Sequence, residues 1–200
     1  MDAGEGKANR QGPVGKRIAL CRSCSPLPIG SSPFPKKSST DNQSTGLGMK
    51  AYFARLLDHA HWANGRTLAA LQAVEPPARA VEVFAHVLTT EAIYHARMSG
   101  LDPWPQDFWP DLSLAACAAL IPANRDRYRR FLDEHTAEDL RRRVRYRNSR
   151  GVVYHTPIAD LLTHLMLHGE HHRGQIAQTL RQHGSQPPVT DFIAFVRERV

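Results

Sequence analysis

Four of the chain's eleven histidines fall within nine residues, in the stretch Thr163-His164-Leu165-Met166-Leu167-His168-Gly169-Glu170-His171-His172-Arg173-Gly174-Gln175. His168 and His172 stand four apart, so on a helix their imidazoles project from consecutive turns and can reach one metal ion. Ordinary helix histidines show the same spacing, and the pair alone leaves both readings open. One metal chemistry is excluded. A zincin needs His-Glu-x-x-His, whereas Glu170 follows His168 by two places and lies at about 200°, opposite the pair.

The element that must position these residues is an amphipathic helix. At about 100° per residue from His168, Ile158, Leu161, Leu162, Leu165, Gly169, Ile176 and Leu180 fall on an arc from about 20° to 120°. His172 lies inside the arc and His168 on its border, while His164 and His171 point away to solvent. Thr156-Pro157 sets proline at the helix start, where its missing N–H costs nothing. Gly184 and Pro187-Pro188 end it.

Upstream, Tyr52, Phe53, Leu56, Leu57, Ala60, Ala63, Thr67, Leu68 and Leu71 predict a first helix over residues 50–74, stopped by Pro76-Pro77. His59 and His61 on it read as exposed positions and Trp62 as core. A second helix is expected over 78–99, with Val83, Val87, Tyr94 and Met98 as its apolar stripe. His86 sits at the edge of that stripe, as either a satisfied core histidine or a ligand. Residues 100–111 hold Pro103, Trp104, Pro105, Phe108, Trp109 and Pro110, a proline-broken aromatic segment expected to cover part of the core or line a pocket mouth. A third helix follows over 113–134, with Pro122 interrupting it or marking a late start near Ala123. Cys117 among alanines reads as a small core residue.

Val144, Tyr146, Val152, Val153 and Tyr154 flank Asn148-Ser149-Arg150-Gly151, as in a short hairpin. Arg141, Arg142, Arg143, Arg145, Arg147 and Arg150 make this the most basic stretch. They read as solvated charges on edge strands, or as a lip for an anion. Asp191 is expected to cap a last short helix over 192–199.

The chain has 200 residues, 42% hydrophobic, enough for one domain with a real core. No apolar run approaches a membrane helix and the N-terminus has no signal-peptide core, so a cytoplasmic protein is expected. Residues 1–48 carry seven Gly, five Pro and seven Ser without periodicity, and are expected to be a disordered tail or sequence upstream of a true start at Met49. Cys21 and Cys24 have the spacing of half a zinc ribbon, with no second half in the tail. The tail carries +4 of the net charge of +7. That leaves the domain only mildly basic, so nucleic acid is not an expected partner, although tail and hairpin together could bind it in a salt-sensitive way.

In Met49-Lys-x-Tyr52-Phe53-x-Arg55-Leu-Leu, Trp62-Ala-Asn64, His86-Val-Leu-Thr-Thr-Glu91 and His168-Gly-Glu-His-His172-Arg173-Gly174-Gln175, followed by Gly184, Pro187 and Asp191, residues 49–200 resemble the DinB/YfiT-like family of metalloenzymes. The resemblance implies an all-α fold, a four-helix bundle with a small β-hairpin before the last main helix. It also implies a divalent metal site on His86, His168 and His172, with zinc, nickel or iron as candidate ions and an open coordination position. Some relatives are thiol-dependent, transferring bacillithiol, mycothiol or glutathione or isomerising maleylpyruvate. The expected function is therefore a metal-dependent thiol S-transferase, or a related hydrolase or isomerase, with a small thiol and an electrophile as partners. The alternative is a non-catalytic metal-binding stress-response protein. Glu91 and Gln175 are candidates to orient ligands, and Arg173, Arg147 and Arg150 to hold the thiol's carboxylates. A homodimer built by helix packing is compatible with such a bundle, but nothing in the sequence demands one.

Overall fold

Four long helices carry the chain: α1 (Met49–Gln72), α2 (Ala78–Met98), α3 (Leu114–Glu134) and α4 (Ile158–Gln182). A hairpin, β1 (Arg143–Arg147) with β2 (Val153–Pro157), precedes α4, and a short α5 (Phe192–Val196) follows it. The computed structural model describes residues 48–102 and 104–197. The expectations for residues 1–47, including Cys21 and Cys24, lie outside the described residues, as do those for 198–200.

Two apolar clusters lie at opposite ends of the bundle. One gathers Phe53 of α1, Met98 of α2, Phe131 and Leu132 of α3 and Leu161 and Leu165 of α4. The other gathers Leu71, Phe84, Leu88, Ile121, Ile176 and Leu180 from the same four helices. α1 and α4 therefore run from the first cluster to the second, and α2 and α3 run back. α2 packs against α3 and α4, as α1 does. Because α2 and α3 run the same way, the segment between them must travel the length of the bundle, and this is the aromatic stretch after Gly100.

Between the clusters lies a polar stratum to which every helix contributes. Asn64 Nδ2 donates to Glu91 Oε1 at 2.8 Å and Asn124 Nδ2 to Glu91 Oε2 at 2.9 Å. Arg173 Nη1 donates to Asn64 Oδ1 at 2.9 Å, and the Tyr128 hydroxyl to the Glu91 carbonyl at 2.8 Å. All five residues are buried. Burial raises the Glu91 carboxyl above its ordinary value, opposed by the two amide donors and the charge of Arg173. Polar groups withdrawn from water are tolerated when bonded in this way.

Several local expectations need correction. α3 is continuous, with Pro122 inside it on an exposed position where the missing hydrogen bond faces water. Its start is set by Ser113, whose Oγ accepts from Ala116 N at 3.2 Å. α5 ends at Val196 within the described residues. His59 is buried rather than exposed: its Nε2 donates to the Thr190 carbonyl at 2.8 Å, and Phe192 packs on its ring. The tertiary packing of the C-terminal segment, invisible in helical periodicity, covers it. In the hairpin, Val144 and Tyr146 turn inward while Arg143 and Arg145 alternate outward.

Candidate metal centre

His86 of α2 and His168 and His172 of α4 come together across the α2–α4 interface, each offering a nitrogen within 4.8 Å of the others. His86 Nε2 lies 3.1 Å from His168 Nε2, and its ring is edge-on to those of both partners at centroid distances of 4.9 and 4.7 Å. His86 is buried and the other two are half-buried, so one side of the cluster remains open.

Ring orientation is set from outside the cluster. A carbonyl oxygen can only accept, so the 2.6 Å contact of His86 Nδ1 with the Phe108 carbonyl puts the proton on Nδ1 and leaves Nε2 with its lone pair. His172 Nδ1 likewise donates to Gln175 Oε1 at 2.8 Å, while Gln175 Nε2 donates to His171 Nε2 at 3.1 Å. This is how metal-binding imidazoles are commonly held. Trp109 lies flat on the His86 ring, 3.8 Å away and 4° from parallel, with the Arg79 guanidinium 5.0 Å over its other face.

Charge on the rings is suppressed. Burial and the neighbouring imidazoles pull His168 down to about 3. Burial also lowers His86 and His172, and Arg79 pushes both the same way. Three uncharged imidazoles, two with their outer nitrogens already committed, are the donor set that a borderline divalent ion takes. The residues fit a metal.

The other expected site residues divide. Gln175 stands where it can orient His172. Glu91 bonds Asn64 and Asn124 and touches none of the three imidazoles. Arg173 is 3% exposed and committed inside the bundle to Asn64 and to Glu170 Oε1 at 2.8 Å. Its guanidinium lies over Gly169, where an added Cβ would come within 3.0 Å of Nη1. It therefore has no reach to a ligand at the histidines, a placement that follows from its pointing toward α1 rather than α2. Arg147 pairs with Asp102 at 3.0 Å, and Arg150 is exposed at the hairpin turn.

A cleft of about 680 Å³ opens beside His86, walled by Trp109, Phe108, Tyr94, Tyr146 and Tyr154. The aromatic segment is thus a pocket wall, the role its composition suggested. Sequence reasoning did not find Trp109 as a direct neighbour of the histidine cluster, nor Arg97 in the lining of the cleft. The one signal for Arg97 was its direction, about 40° outside the apolar stripe of α2 and on the same border as His86. A separate cavity of about 230 Å³ between α1 and α3 has Glu91 and Asn124 in its lining and does not include the three histidines.

Four helices running up, down, down and up, with three imidazoles converging in the interior, define a helical-bundle protein with a site of metal-binding type. Residues 48–199 match the DinB family, and the chain belongs to that family. It is also similar to Protein DinB of Bacillus subtilis (strain 168), 34% identical over 67 residues, or 34% of this chain and 38% of that protein. The match thus spans well under half of the curated relative. Family membership and the histidine cluster together fit a protein that binds a divalent metal. Among the described residues, no helix is long and apolar enough to cross a membrane.

Proposed function

We propose that the protein is a metal-dependent thiol S-transferase that holds one zinc, nickel or iron ion on His86, His168 and His172 and uses the adjoining cleft for an electrophile. The observation that carries the reading is the convergence of three uncharged imidazoles, of which His86 lines an open aromatic cleft. Thiol transfer itself rests on the resemblance to a family of which some members are thiol-dependent. When bound, a divalent ion at such a site lowers the pKa of a coordinated thiol and so supplies thiolate at neutral pH. The chain's own residues supply position. Phe108 and Gln175 fix two imidazoles, and Trp109 shields one face of His86 from water.

The test is elemental mass spectrometry on the purified full chain and on a His168→Ala/His172→Ala variant, followed by a thiol-consumption assay with an activated aryl halide. About one ion per chain, lost in the variant, is the expected result. No ion in either protein after incubation with zinc, nickel and iron would sink the reading. Metal without turnover of any thiol would instead favour a non-catalytic metal-binding role.

A further inference from the structure

Arg97 is among the largest side chains fully enclosed by the fold, at 2% exposure, yet no carboxylate accepts a hydrogen bond from it. Its Nη2 donates to Gln106 Oε1 at 2.8 Å and to the Arg147 carbonyl at 2.7 Å, both neutral groups. Among the described residues its Nε has no partner. Asp102, an acid whose field reaches it, accepts from Arg147 N through Oδ1 at 3.1 Å, and its Oδ2 lies in ion-pair range of Arg147 at 3.0 Å and Arg145 at 3.8 Å without accepting a hydrogen bond from either or from Arg97. Three rings surround the guanidinium, Tyr146 at 4.7 Å, Tyr94 at 4.8 Å and Phe108 at 5.2 Å. Ring faces attract a cation, but they do not satisfy an N–H. Gln106, which caps the guanidinium, is itself only half used, since its Nε2 is buried without a partner among the described residues.

Both side chains line the cleft that His86 also lines. A buried cation with a spare donor, beside a spare amide donor, is a site lacking an anion. The Nε and Nη2 edge of a guanidinium matches the two oxygens of a carboxylate. Gln106 lies on the connecting segment rather than on a helix and gives up one neutral bond by moving aside.

We infer that Arg97 and Gln106 anchor the carboxylate of a flat, unsaturated ligand, which displaces the Gln106 amide oxygen from Arg97 and lies between the aromatic walls of the cleft with its other end toward His86. The inference deepens the transferase reading by naming the class of its electrophile, and it rests on that reading only for the direction in which the ligand points. The anchor itself requires no metal.

The test is calorimetric titration of the full chain with benzoate and with benzamide, which has the same shape without the charge. Both are run on metal-free and zinc-incubated protein and on Gln106→Glu, Arg97→Met and His168→Ala variants. Benzoate is expected to bind at least about tenfold more tightly than benzamide, the size of one charge-assisted bidentate contact. Gln106→Glu sets an internal carboxylate against Arg97, so it should cost benzoate at least about tenfold while leaving the fold intact, even if Arg97→Met fails to fold. His168→Ala should retain the preference. Equal binding of the two probes, unchanged binding to Gln106→Glu, or no benzoate binding at all would overturn the inference. Benzoate failing on a protein that carries its ion would leave the metal reading standing. Benzoate preference in a protein that takes up no ion would overturn the metal reading and leave this one.

Discussion

Glu91→Gln changes no volume and little shape, so it isolates the hydrogen bonding of the polar stratum. Both carboxylate oxygens accept from amide groups, Asn64 Nδ2 and Asn124 Nδ2. Neither asparagine is free to turn over. Asn64 Oδ1 is held by Arg173, and Asn124 uses its other proton on the Leu88 carbonyl at 2.9 Å while its Oδ1 accepts from Arg127 at 2.8 Å. A glutamine must therefore set its own NH₂ against one of these donors. The loss is one charge-assisted bond, about 1.5–3 kcal/mol, together with unsatisfied buried donors at about 1–3 kcal/mol. Against this stands the relief of no longer burying a charge. A net loss of about 3 kcal/mol is expected, read as a lower urea midpoint by circular dichroism at neutral pH and as a melting temperature lower by roughly 6–12 °C. Glu82→Gln, on the same helix but paired with Arg79 at the surface, is the control and should stay within about 0.5 kcal/mol. A Glu91→Gln protein as stable as its parent would refute the reasoning, because it would mean that the carboxyl keeps its own proton or that an asparagine faces it with oxygen.

Gln175→Ala frees His172 Nδ1 and should weaken metal affinity about 10–100-fold in competition with a chromophoric chelator, with the fold unchanged. In metal-free protein the lowered His168 value means that the unfolded chain binds the extra proton between about 3 and the ordinary 6.5. The stability that His168 contributes is thus complete above 6.5 and lost as pH falls toward 3. Urea midpoints near pH 7.5 and 4.5 should show it, and the loss should shrink in His168→Ala. Gly174 has open space where a Cβ would go, so Gly174→Ala should stabilise α4 by about 0.5–1 kcal/mol. Gly169→Ala should destabilise it, since the guanidinium over Gly169 is pinned at both ends. His59→Leu removes the bond to the Thr190 carbonyl and should cost about 1 kcal/mol. It should also speed proteolytic cleavage after α4, as seen in a time course on a gel.

The helices were legible because apolar residues at a 3.6-residue period leave few alternatives, and the inward pair His168 and His172 followed from the same angles. His86 was legible as an edge histidine, but joining it to α4 required the family resemblance, since no periodicity says which helix faces which. Arg173 and Glu91 were assigned to the site on type and proximity in sequence. Their true partners, Asn64 and Asn124, stand on helices far away along the chain. The stacking of Trp109 on His86 escaped because a connecting segment has no period from which to read direction, and Arg97, on α2, escaped because no helical period shows that the hairpin and the connector close over it. His59 was misread because a helical wheel cannot show a later segment folding over it.

The same direction of travel of α2 and α3 has a consequence for how such a protein can change over generations. The metal histidines stand on helices whose other faces build the core, where a substitution risks the fold. The wall opposite them, with Phe108, Trp109 and Gln106, is carried by a connector that contributes little to either apolar cluster. Replacing that connector would reshape the cleft while the three histidines stayed where they are. One bundle can thus carry clefts of different shape by editing little more than a dozen residues of loop.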